Sequence, residues 1–309
     1  MEQSYYYYRA FGLMFKSCIE HPEFIPEKET EHVDCTITFG EVPKKLRSPE
    51  NTGGVYQTKG KQFLLKVENV GRYLVENGNS IRIDRAPDAS QREMIIFLWA
   101  SAVAALLHQR GMIIIHGSAV KTGNSAVIFS GRSGSGKSTF ASAFSSLNDS
   151  LIISDDISAI RINENGIPMI LPGYPMLKLW RDSSEKFGIE WDETRFIREN
   201  IQKMVVNTRD RFHDKEVSLR QFYLLSYKNI GNPEINEVTG FRKLELFTGK
   251  IFRKNYMKKH ENSGFDIFGK ASGIITQVRL CEVTRQHGMS FFDETFELIK
   301  NDLIQLQIC

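Results

Sequence analysis

Alternating apolar and polar positions dominate the first third of the chain. The four alternating segments are residues 33–38, 62–67, 72–76 and 80–84. Such alternation is typical of strands that turn one face toward a core. Asn77-Gly78-Asn79 separates the last two segments, as the turn of a hairpin does. The sequence therefore predicts a β-rich N-terminal region, which we place at residues 1–89.

A helix is predicted directly after this region. Ser90 and Glu93 stand three residues apart, which is the spacing of a capping box. The residues that follow, up to His108, are apolar almost all round, so we expect a buried helix. Gly111 is a natural end for it.

The pattern then changes to short, continuous apolar runs. These runs are residues 112–115, 126–129 and 151–153. Continuous runs suit strands that are covered on both faces. A helix-like stretch at residues 137–147 lies between the second and third runs, and strand, loop, helix and strand in this order are typical of an α/β core. We assign residues 90–309 to this core and its C-terminal helical segments.

The last third has weaker signals. Residues 179–187 have a helical pattern, residues 217–227 contain a predicted strand, and residues 229–236 are predicted to be a loop. Apolar residues at helical spacing predict a final packing helix near residues 292–303.

Composition excludes several classes of protein. The 309 residues are 41% hydrophobic and 25% charged, which is ordinary globular usage and excludes a disordered or fibrous chain. A net charge of +3 is too small to indicate nucleic acid or a membrane surface as the main partner. The longest apolar run, residues 94–107, is shorter than the roughly 20 residues that span a bilayer.

The first residues and the cysteines indicate the cellular compartment that we expect. The first residues do not resemble a signal peptide, and the four cysteines form no C-x-x-C pair, which argues against a structural zinc site. We expect a cytoplasmic protein with reduced thiols. A homo-oligomer is left open.

The dominant chemical motif is residues 131–138, which match G-x-x-x-x-G-K-[ST] in full between a predicted strand and a predicted helix. Its glycines let backbone N–H groups form a concave nest for phosphate oxygens. Lys137 can bridge the β- and γ-phosphates, and Ser138 can ligate Mg²⁺. The alternative is a flexible turn. The predicted nucleotide-binding residues are Gly131, Ser133, Gly134, Ser135, Gly136, Lys137, Ser138 and Thr139.

Two adjacent acids follow the third apolar run. Asp155 and Asp156 would lie at the carboxyl end of a strand, where ligands of open α/β sheets bind. Neighbouring side chains alternate on an extended strand, so one carboxylate can reach a metal while the other reaches an acceptor. The alternative is a helix cap or a turn. His116, at the end of the first apolar run, joins this edge if its strand lies beside the phosphate loop; a structural histidine is its alternative.

These three motifs together resemble the HPr kinase/phosphorylase family, over residues 111–180. The resemblance implies an α/β fold with a P-loop core of the type shared by HPr kinase and phosphoenolpyruvate carboxykinase, together with the β-rich N-terminal region. It also implies ATP and Mg²⁺ as cofactors and a seryl hydroxyl as acceptor. His116 resembles the family's active-site histidine, residues 131–138 its phosphate loop, and Asp155 and Asp156 its paired acids.

The chain departs from the family in two places. Thr139 stands where members with the regulatory function carry an acid, and no Glu-x-Arg-Gly-Leu-Gly signature follows the acids. Residues 172–175 and 178–180 look more like the shorter related proteins, which include kinases of lasso-peptide precursors. This resemblance favours a peptide acceptor over folded HPr.

We therefore expect a kinase that phosphorylates a Ser or Thr hydroxyl on a peptide or protein, with the C-terminal residue of a lasso-peptide precursor as one expected acceptor. Lys137 holds the triphosphate, Ser138 and Asp156 hold the metal, and Asp155 accepts the hydroxyl proton with the aid of His116; the roles of the two acids could be exchanged. The alternatives are a nucleotide-binding switch without an acceptor, and a carboxykinase-like enzyme that acts on a small acid.

Other charged residues are left without a role. A run of basic residues is interpreted as a solvated helix face, with binding of an acidic peptide or of phosphates as the alternative; its members are Lys250, Arg253, Lys254, Lys258 and Lys259. Three downstream arginines could each reach a γ-phosphate, and the sequence does not choose among Arg209, Arg211 and Arg285.

Overall fold

The structure is a computed structural model that describes residues 4–198, 201–257 and 267–308. The chain forms two compact units. The first unit extends to Ile114 and has a second segment that begins at Phe252, and the second unit contains Ile115–Ile251 and the chain from Ile267 onward. The sequence predicts a boundary between residues 89 and 90, whereas the helical segment after Ser90 belongs to the first unit.

The first unit contains a nine-stranded mixed sheet. Its strands in chain order are β1 (Tyr6–Ala10), β2 (Leu13–Ser17), β3 (Pro26–Glu27), β4 (Cys35–Phe39), β5 (Asn51–Thr52), β6 (Tyr56–Lys59), β7 (Gln62–Val67), β8 (Gly71–Glu76) and β9 (Ser80–Arg85). Their order in the sheet is β3-β1-β2-β4-β9-β8-β7-β6-β5. β8 and β9 pair antiparallel, and Asn77 and Gly78 have positive φ, which confirms the predicted hairpin turn.

A helical segment begins where the capping box predicts. It consists of α1 (Gln91–Phe97), a π-helical turn (Leu98–Ala102) and α2 (Val103–Gln109). Ser90 Oγ accepts a hydrogen bond of 3.1 Å from the backbone N–H of Glu93. Gly111, with φ of 78°, follows its end.

The aromatic core of the first unit explains why this helical segment belongs there. The Trp99 ring lies 5.2 Å from the Phe15 ring and 4.4 Å from the Phe24 ring. The Tyr73 hydroxyl donates to the Met94 carbonyl oxygen at 2.9 Å. Because the sheet needs an apolar cover, the helix completes the core of the β-rich region.

The second unit contains two sheets and five helices within its described residues. Its strands are β10 (Ile113–Thr122), β11 (Ser125–Gly131), β12 (Ser150–Ser154), β13 (Ile157–Ile162), β14 (Pro168–Leu171), β15 (Met176–Trp180), β16 (Phe196–Arg198), β17 (Ile201–Asn207), β18 (Val217–Tyr227), β19 (Glu234–Glu237) and β20 (Arg279–Arg285). Its helices are α3 (Lys137–Phe144), α4 (Arg181–Lys186), α5 (Gly240–Gly249), α6 (Ile267–Ile275) and α7 (Phe292–Gln305). Among the described residues, no helix is long and apolar enough to cross a membrane.

Strand direction places several chain segments at one edge of the larger sheet. β11, β18 and β20 are parallel neighbours, and β10 lies antiparallel between β11 and β12. The carboxyl ends of β11, β12, β18 and β20 therefore meet the beginning of β10 at the same edge. The predicted strand–loop–helix–strand order is present in β11, the loop, α3 and β12. However, β11 and β12 are not neighbours, because β10 lies between them in the sheet.

Two secondary-structure predictions in the last third need correction. Residues 179 and 180, predicted to be helical, belong to β15, which pairs with β17 in a three-stranded sheet of the order β15-β17-β16. The stretch at residues 229–236, predicted to be a loop, contains the beginning of β19, which pairs with β20. Both predictions were wrong because the pairing partners are distant in sequence. The predicted strand at residues 217–227 and the final helix are confirmed.

Stacked rings hold α3 against the sheet. The Phe129 ring of β11 lies 5.8 Å from Phe140 and 5.3 Å from Phe144 of α3, and 5.8 Å from Tyr223 of β18. Each of these four side chains is fully buried. Offset aromatic pairs of this kind add about 0.5–1.5 kcal/mol each beyond their buried area. This packing fixes the point at which the chain leaves β11 and enters α3.

A polar cluster fastens α7 to the sheet. Asp302 accepts two hydrogen bonds from the Arg279 guanidinium, at 2.7 and 3.1 Å, and one from the Tyr223 hydroxyl. Arg279 also donates to Glu237 at 2.8 Å. The Asp302 side chain is only 16% exposed, so its loss would leave donors without an acceptor in a poorly hydrated place.

We expect Asp302→Ala to lower the free energy of unfolding by about 2 kcal/mol, the usual cost of leaving buried donors unpaired. Urea unfolding monitored by circular dichroism measures the change. Glu297→Ala, on the same helix, removes an exposed partner of Lys300 and should cost less than about 0.5 kcal/mol. Equal losses in the two variants would show that the cluster does not fasten the helix.

Candidate functional site

The glycine-rich loop, residues 131–138, joins β11 to α3 in a tight turn. Gly134 and Gly136 have φ of 83° and 97°, a region that favours glycine. The Lys137 ammonium folds back over the loop and donates to the carbonyl oxygens of Arg132 at 3.0 Å and Gly131 at 3.4 Å. Burial lowers the pKa of Lys137, and nearby Lys203 lowers it further. The loop thus holds a poorly hydrated cation at its centre.

The Asp155 carboxylate connects this loop to two other elements. Its Oδ1 accepts hydrogen bonds from Ser138 Oγ at 2.8 Å and from Ser118 Oγ of β10 at 2.6 Å. Its Oδ2 accepts from the backbone N–H of Lys178 in β15 at 2.8 Å. Asp155 is 7% exposed. The acid is therefore oriented from three sides, with Oδ1 directed at the first residues of α3.

Asp156 is turned away from its neighbour. Its backbone has φ of 64°, a left-handed conformation that Asp tolerates better than most residues. Its carboxylate forms an ion pair with the Lys178 ammonium. Burial raises the pKa of the Asp156 carboxyl, but Lys178 outweighs it and lowers this pKa to about 2. One lysine thus orients both acids, through its backbone and through its side chain.

His116 lies beside the second acid. Its Nδ1 is 2.9 Å from the Asp156 carbonyl oxygen, which can only accept, so Nδ1 is the protonated nitrogen of the neutral ring. The Gly117 N–H donates to the same oxygen at 3.2 Å. Burial, together with the charge of Lys137, lowers the pKa of His116 and favours its neutral form. Ser130 at the end of β11 donates to the His116 carbonyl oxygen at 2.8 Å, so His116 lies beside the glycine-rich loop.

A cavity opens over the loop. Its lining residues are Gly134, Gly136, Lys137, Ser138, Thr139, Lys178, Trp180, Asp182, Ser183, Lys203, Tyr227, Arg285, His287, Gly288 and Met289. Four of them are cationic, namely Lys137, Lys178, Lys203 and Arg285, and one is acidic. Such a lining suits a ligand with several negative charges. The described wall thus has the character of an anion site.

The predicted nucleotide-binding residues do not all face this cavity. Gly134, Gly136, Lys137, Ser138 and Thr139 line it. The Thr139 hydroxyl lies 2.9 Å from Ser183 Oγ of α4, a hydrogen-bond distance.

The other three predicted loop residues do not line this cavity. Gly131 and Ser135 are buried inside the loop, and Ser133 is exposed. Among the described residues, Ser135 Oγ has no hydrogen-bond partner. A buried hydroxyl of this kind fits a loop that receives a polar ligand.

Three further residues of the site were not among the predicted site residues. They are Ser118 of β10, Lys178 of β15 and Lys203 of β17. Their positions depend on which strands pair; Lys203, for example, is brought to the site because it pairs with Trp180 of β15. Of the three candidate arginines, Arg285 lines the cavity and is 4% exposed. Arg285 ends β20, which runs parallel to β11. This position at the end of a strand is the sequence signal that could have distinguished Arg285 from Arg209 and Arg211.

The basic run divides between the two units. Lys250 belongs to the second unit, where its carbonyl oxygen accepts from the His116 N–H at 3.3 Å. Burial and nearby Arg132 lower the pKa of Lys250. Arg253 and Lys254 belong to the first unit, and residues 258 and 259 lie outside the described part of the chain. Lys250, Arg253 and Lys254, the three described members of the run, therefore do not form one helix face.

The oxygen atoms around Ser138 fit a magnesium ion. The described residues contain no group of three or more His, Cys, Asp or Glu side chains that could hold a metal alone. Mg²⁺, however, is usually bound through one or two carboxylates together with phosphate oxygens and water. The hydroxyl of Ser138 and the carboxylate of Asp155 are oxygen donors of that kind.

The cysteines Cys18, Cys35 and Cys281 are free thiols.

Comparisons with known proteins leave the family open. No family model matches the chain, and no curated protein matches it. The chain is similar to a solved structure of the Hpr(Ser) kinase/phosphatase from Coxiella burnetii, with a TM-score of 0.35 and 10% sequence identity. The match covers 63% of this chain and 98% of that one. A likeness of this size establishes by itself neither a shared fold nor a shared activity.

We expect Gly131→Ala to destabilise the loop. An added Cβ would lie 2.4 Å from Ser135 Oγ and 2.6 Å from the Leu225 carbonyl oxygen, and Leu225 belongs to the neighbouring strand β18. Overpacking of this kind costs roughly 1–3 kcal/mol, and thermal unfolding measures the loss. Gly231→Ala is the control, because its Cβ would meet no atom within 4 Å. A Gly131→Ala protein as stable as this control would contradict the tight packing.

Proposed function

We propose that this protein is an ATP- and Mg²⁺-dependent kinase that transfers the γ-phosphate to a Ser or Thr hydroxyl of a peptide or protein. One observation carries the proposal. A buried carboxylate, Asp155, bonds to the serine of a Gly-x-x-x-x-Gly-Lys-Ser loop at 2.8 Å. A nucleotide-binding loop of this kind uses that serine, together with an acidic residue from another strand, to hold a metal ion on the phosphates.

The geometry favours exchanged roles for the two acids. The sequence predicts the proton-accepting role for Asp155 and metal binding for Asp156, with the exchange of these roles left open. Asp155 contacts Ser138, so we assign these two residues to Mg²⁺. When bound, Mg²⁺ would neutralise charge on the phosphate oxygens. Asp156, which bonds through its backbone to His116 and pairs with Lys178, takes the acceptor side.

Transfer then follows from position and charge. The acceptor hydroxyl attacks the γ-phosphorus, the bond from this phosphorus to the β,γ-bridging oxygen breaks, and ADP leaves. The hydroxyl proton goes to the Asp156 carboxylate. Lys178 keeps that carboxylate ionised, and a base with a low pKa suffices because the transition state of phosphoryl transfer is loose and the acid mainly orients the hydroxyl. Lys137 and Lys203 stabilise the charge on the phosphates.

The acceptor is best matched by a peptide. The downstream signature of the regulatory HPr kinases is absent, and residues 172–175 and 178–180 resemble those of peptide-tailoring kinases. We propose a Ser or Thr near a free peptide terminus, such as the C-terminal residue of a lasso-peptide precursor. The cationic cavity lining suits the triphosphate and an acidic peptide end alike.

Replacement of each acid should separate binding from chemistry. We expect Asp155→Asn to weaken Mg²⁺-dependent nucleotide binding, and Asp156→Asn to keep that affinity while transfer slows by roughly 10²-fold, the usual scale for loss of a general base. Titration calorimetry and initial rates measure the two effects. Asp214→Asn, at an exposed site, is the control. The reverse pattern would return the two acids to the roles first predicted.

Direct transfer is the main test. We expect γ-labelled ATP and Mg²⁺ to label a precursor peptide with one phosphate by mass spectrometry, and replacement of the acceptor hydroxyl by Ala to abolish the label. Lys137→Ala should remove turnover, because it removes the charge that bridges the phosphates. Release of inorganic phosphate with no labelled acceptor would favour the nucleotide switch, and labelling of small carboxylic acids alone would favour the carboxykinase.

A further inference from the structure

A column of rings and one guanidinium leads from α3 to the surface of the cavity. The Arg285 guanidinium lies 5.8 Å from the centre of the Phe140 ring and 4.8 Å from that of Tyr227. The His287 ring follows, 4.8 Å from Tyr227 at an angle of 63°. Phe140 is fully buried, whereas His287 is exposed. The column therefore presents its outer ring to a ligand.

Hydrogen bonds fasten this column to the glycine-rich loop. The Tyr227 hydroxyl donates to the Gly134 carbonyl oxygen at 2.8 Å and accepts from Arg285 at 3.0 Å. Arg285 also donates to the Gly288 carbonyl oxygen at 2.9 Å. Tyr227 and Arg285 pair directly at the ends of β18 and β20. The Tyr227 ring and the Arg285 guanidinium are thus held in a fixed position relative to the loop before any ligand binds.

Sheet order places the column and the acids on opposite sides of the loop. Asp155 follows β12 and His116 lies in β10, on one side of β11. Tyr227 and Arg285 end β18 and β20, on the other side. A triphosphate held at the loop with its γ-phosphate toward the acids must direct its other end away from them, toward the column.

We infer that the Tyr227–His287 end of this column is the nucleobase subsite of a nucleoside triphosphate, an inference that rests on the proposed kinase function. A flat base can stack on the exposed His287 ring or make an edge-to-face contact with Tyr227. Stacking is tolerant of base identity because each base has a π-face. Met289, which lines the same cavity, offers a polarisable apolar contact.

An acid that lines the same cavity suits the sugar. Asp182 lines the cavity, and its Oδ1 is held by the backbone N–H of Ser183 at 2.7 Å. A carboxylate repels phosphate but accepts hydrogen bonds from the hydroxyls of a ribose. Asp182 is the one acid of the described lining and is an electrostatic neighbour of Tyr227 and Arg285, so it lies where the uncharged end of the ligand would bind.

Trp180 is the competing platform. It also lines the cavity, but the Lys203 ammonium lies 5.3 Å from the centre of its ring. Trp180 and Lys203 belong to β15 and β17, the sheet that also carries Lys178 next to Asp156. This position is on the side of the acids, where the γ-phosphate and the acceptor meet.

Two ligands separate the base from the phosphates. Titration calorimetry with Mg²⁺ compares ATP with inorganic tripolyphosphate, which has the phosphates but no nucleoside. We expect His287→Ala to weaken ATP binding by roughly 5- to 100-fold, the range for loss of one stacked base, and to leave tripolyphosphate binding unchanged. His287→Phe keeps a ring and should restore ATP affinity. Gln286→Ala changes the neighbouring half-buried residue, which lies outside the cavity lining, and should change the affinity for neither ligand.

Different failures have different meanings. Equal affinity of the wild-type protein for ATP and tripolyphosphate would overturn the subsite and leave the phosphate site standing. An ATP-selective loss in Trp180→Ala, with none in His287→Ala, would place the base on Trp180 and overturn the inference. A wild-type protein that binds neither ligand would overturn the proposed function, and the subsite with it.

Discussion

The Asp155 carboxylate is the interaction on which the candidate site depends. It is almost completely buried, and it accepts hydrogen bonds from the first turn of α3, from β10 and from the backbone of β15. Hydrogen bonds to a charged group contribute about 1.5–3 kcal/mol each, and a buried carboxylate without them would be strongly unfavourable. The same bonds therefore stabilise the edge of the sheet and direct one carboxylate oxygen at the glycine-rich loop.

The sheet topology gives this edge two sides. Strands that end beside β11 on one side bring the acids and His116, and strands that end on the other side bring Tyr227 and Arg285. In the proposed kinase, phosphate transfer and the inferred nucleobase subsite therefore lie on opposite sides of one loop. Lys178 adds a second constraint, because its backbone holds one acid while its ammonium holds the other.

Local patterns predicted much of this arrangement, and pairing distant in sequence explains what they missed. The hairpin at Asn77, the cap at Ser90 and the loop at residues 131–138 depend on neighbours in sequence, so the sequence was sufficient. Lys178 was missed because its strand was partly predicted as a helix. Alternation along a strand implied that the two acids diverge, but the positive φ of Asp156 decided which acid faces Ser138. No local pattern shows that.

The most direct measurement is a crystal structure with Mg²⁺ and a non-hydrolysable ATP analogue. Our account predicts the metal about 2.0–2.1 Å from Ser138 Oγ, the distance of octahedral magnesium, with Asp155 bound to it directly or through one water. It also predicts Lys178 still between the two acids. A metal bound by Asp156 alone, or a triphosphate bound away from residues 131–138, would contradict the account.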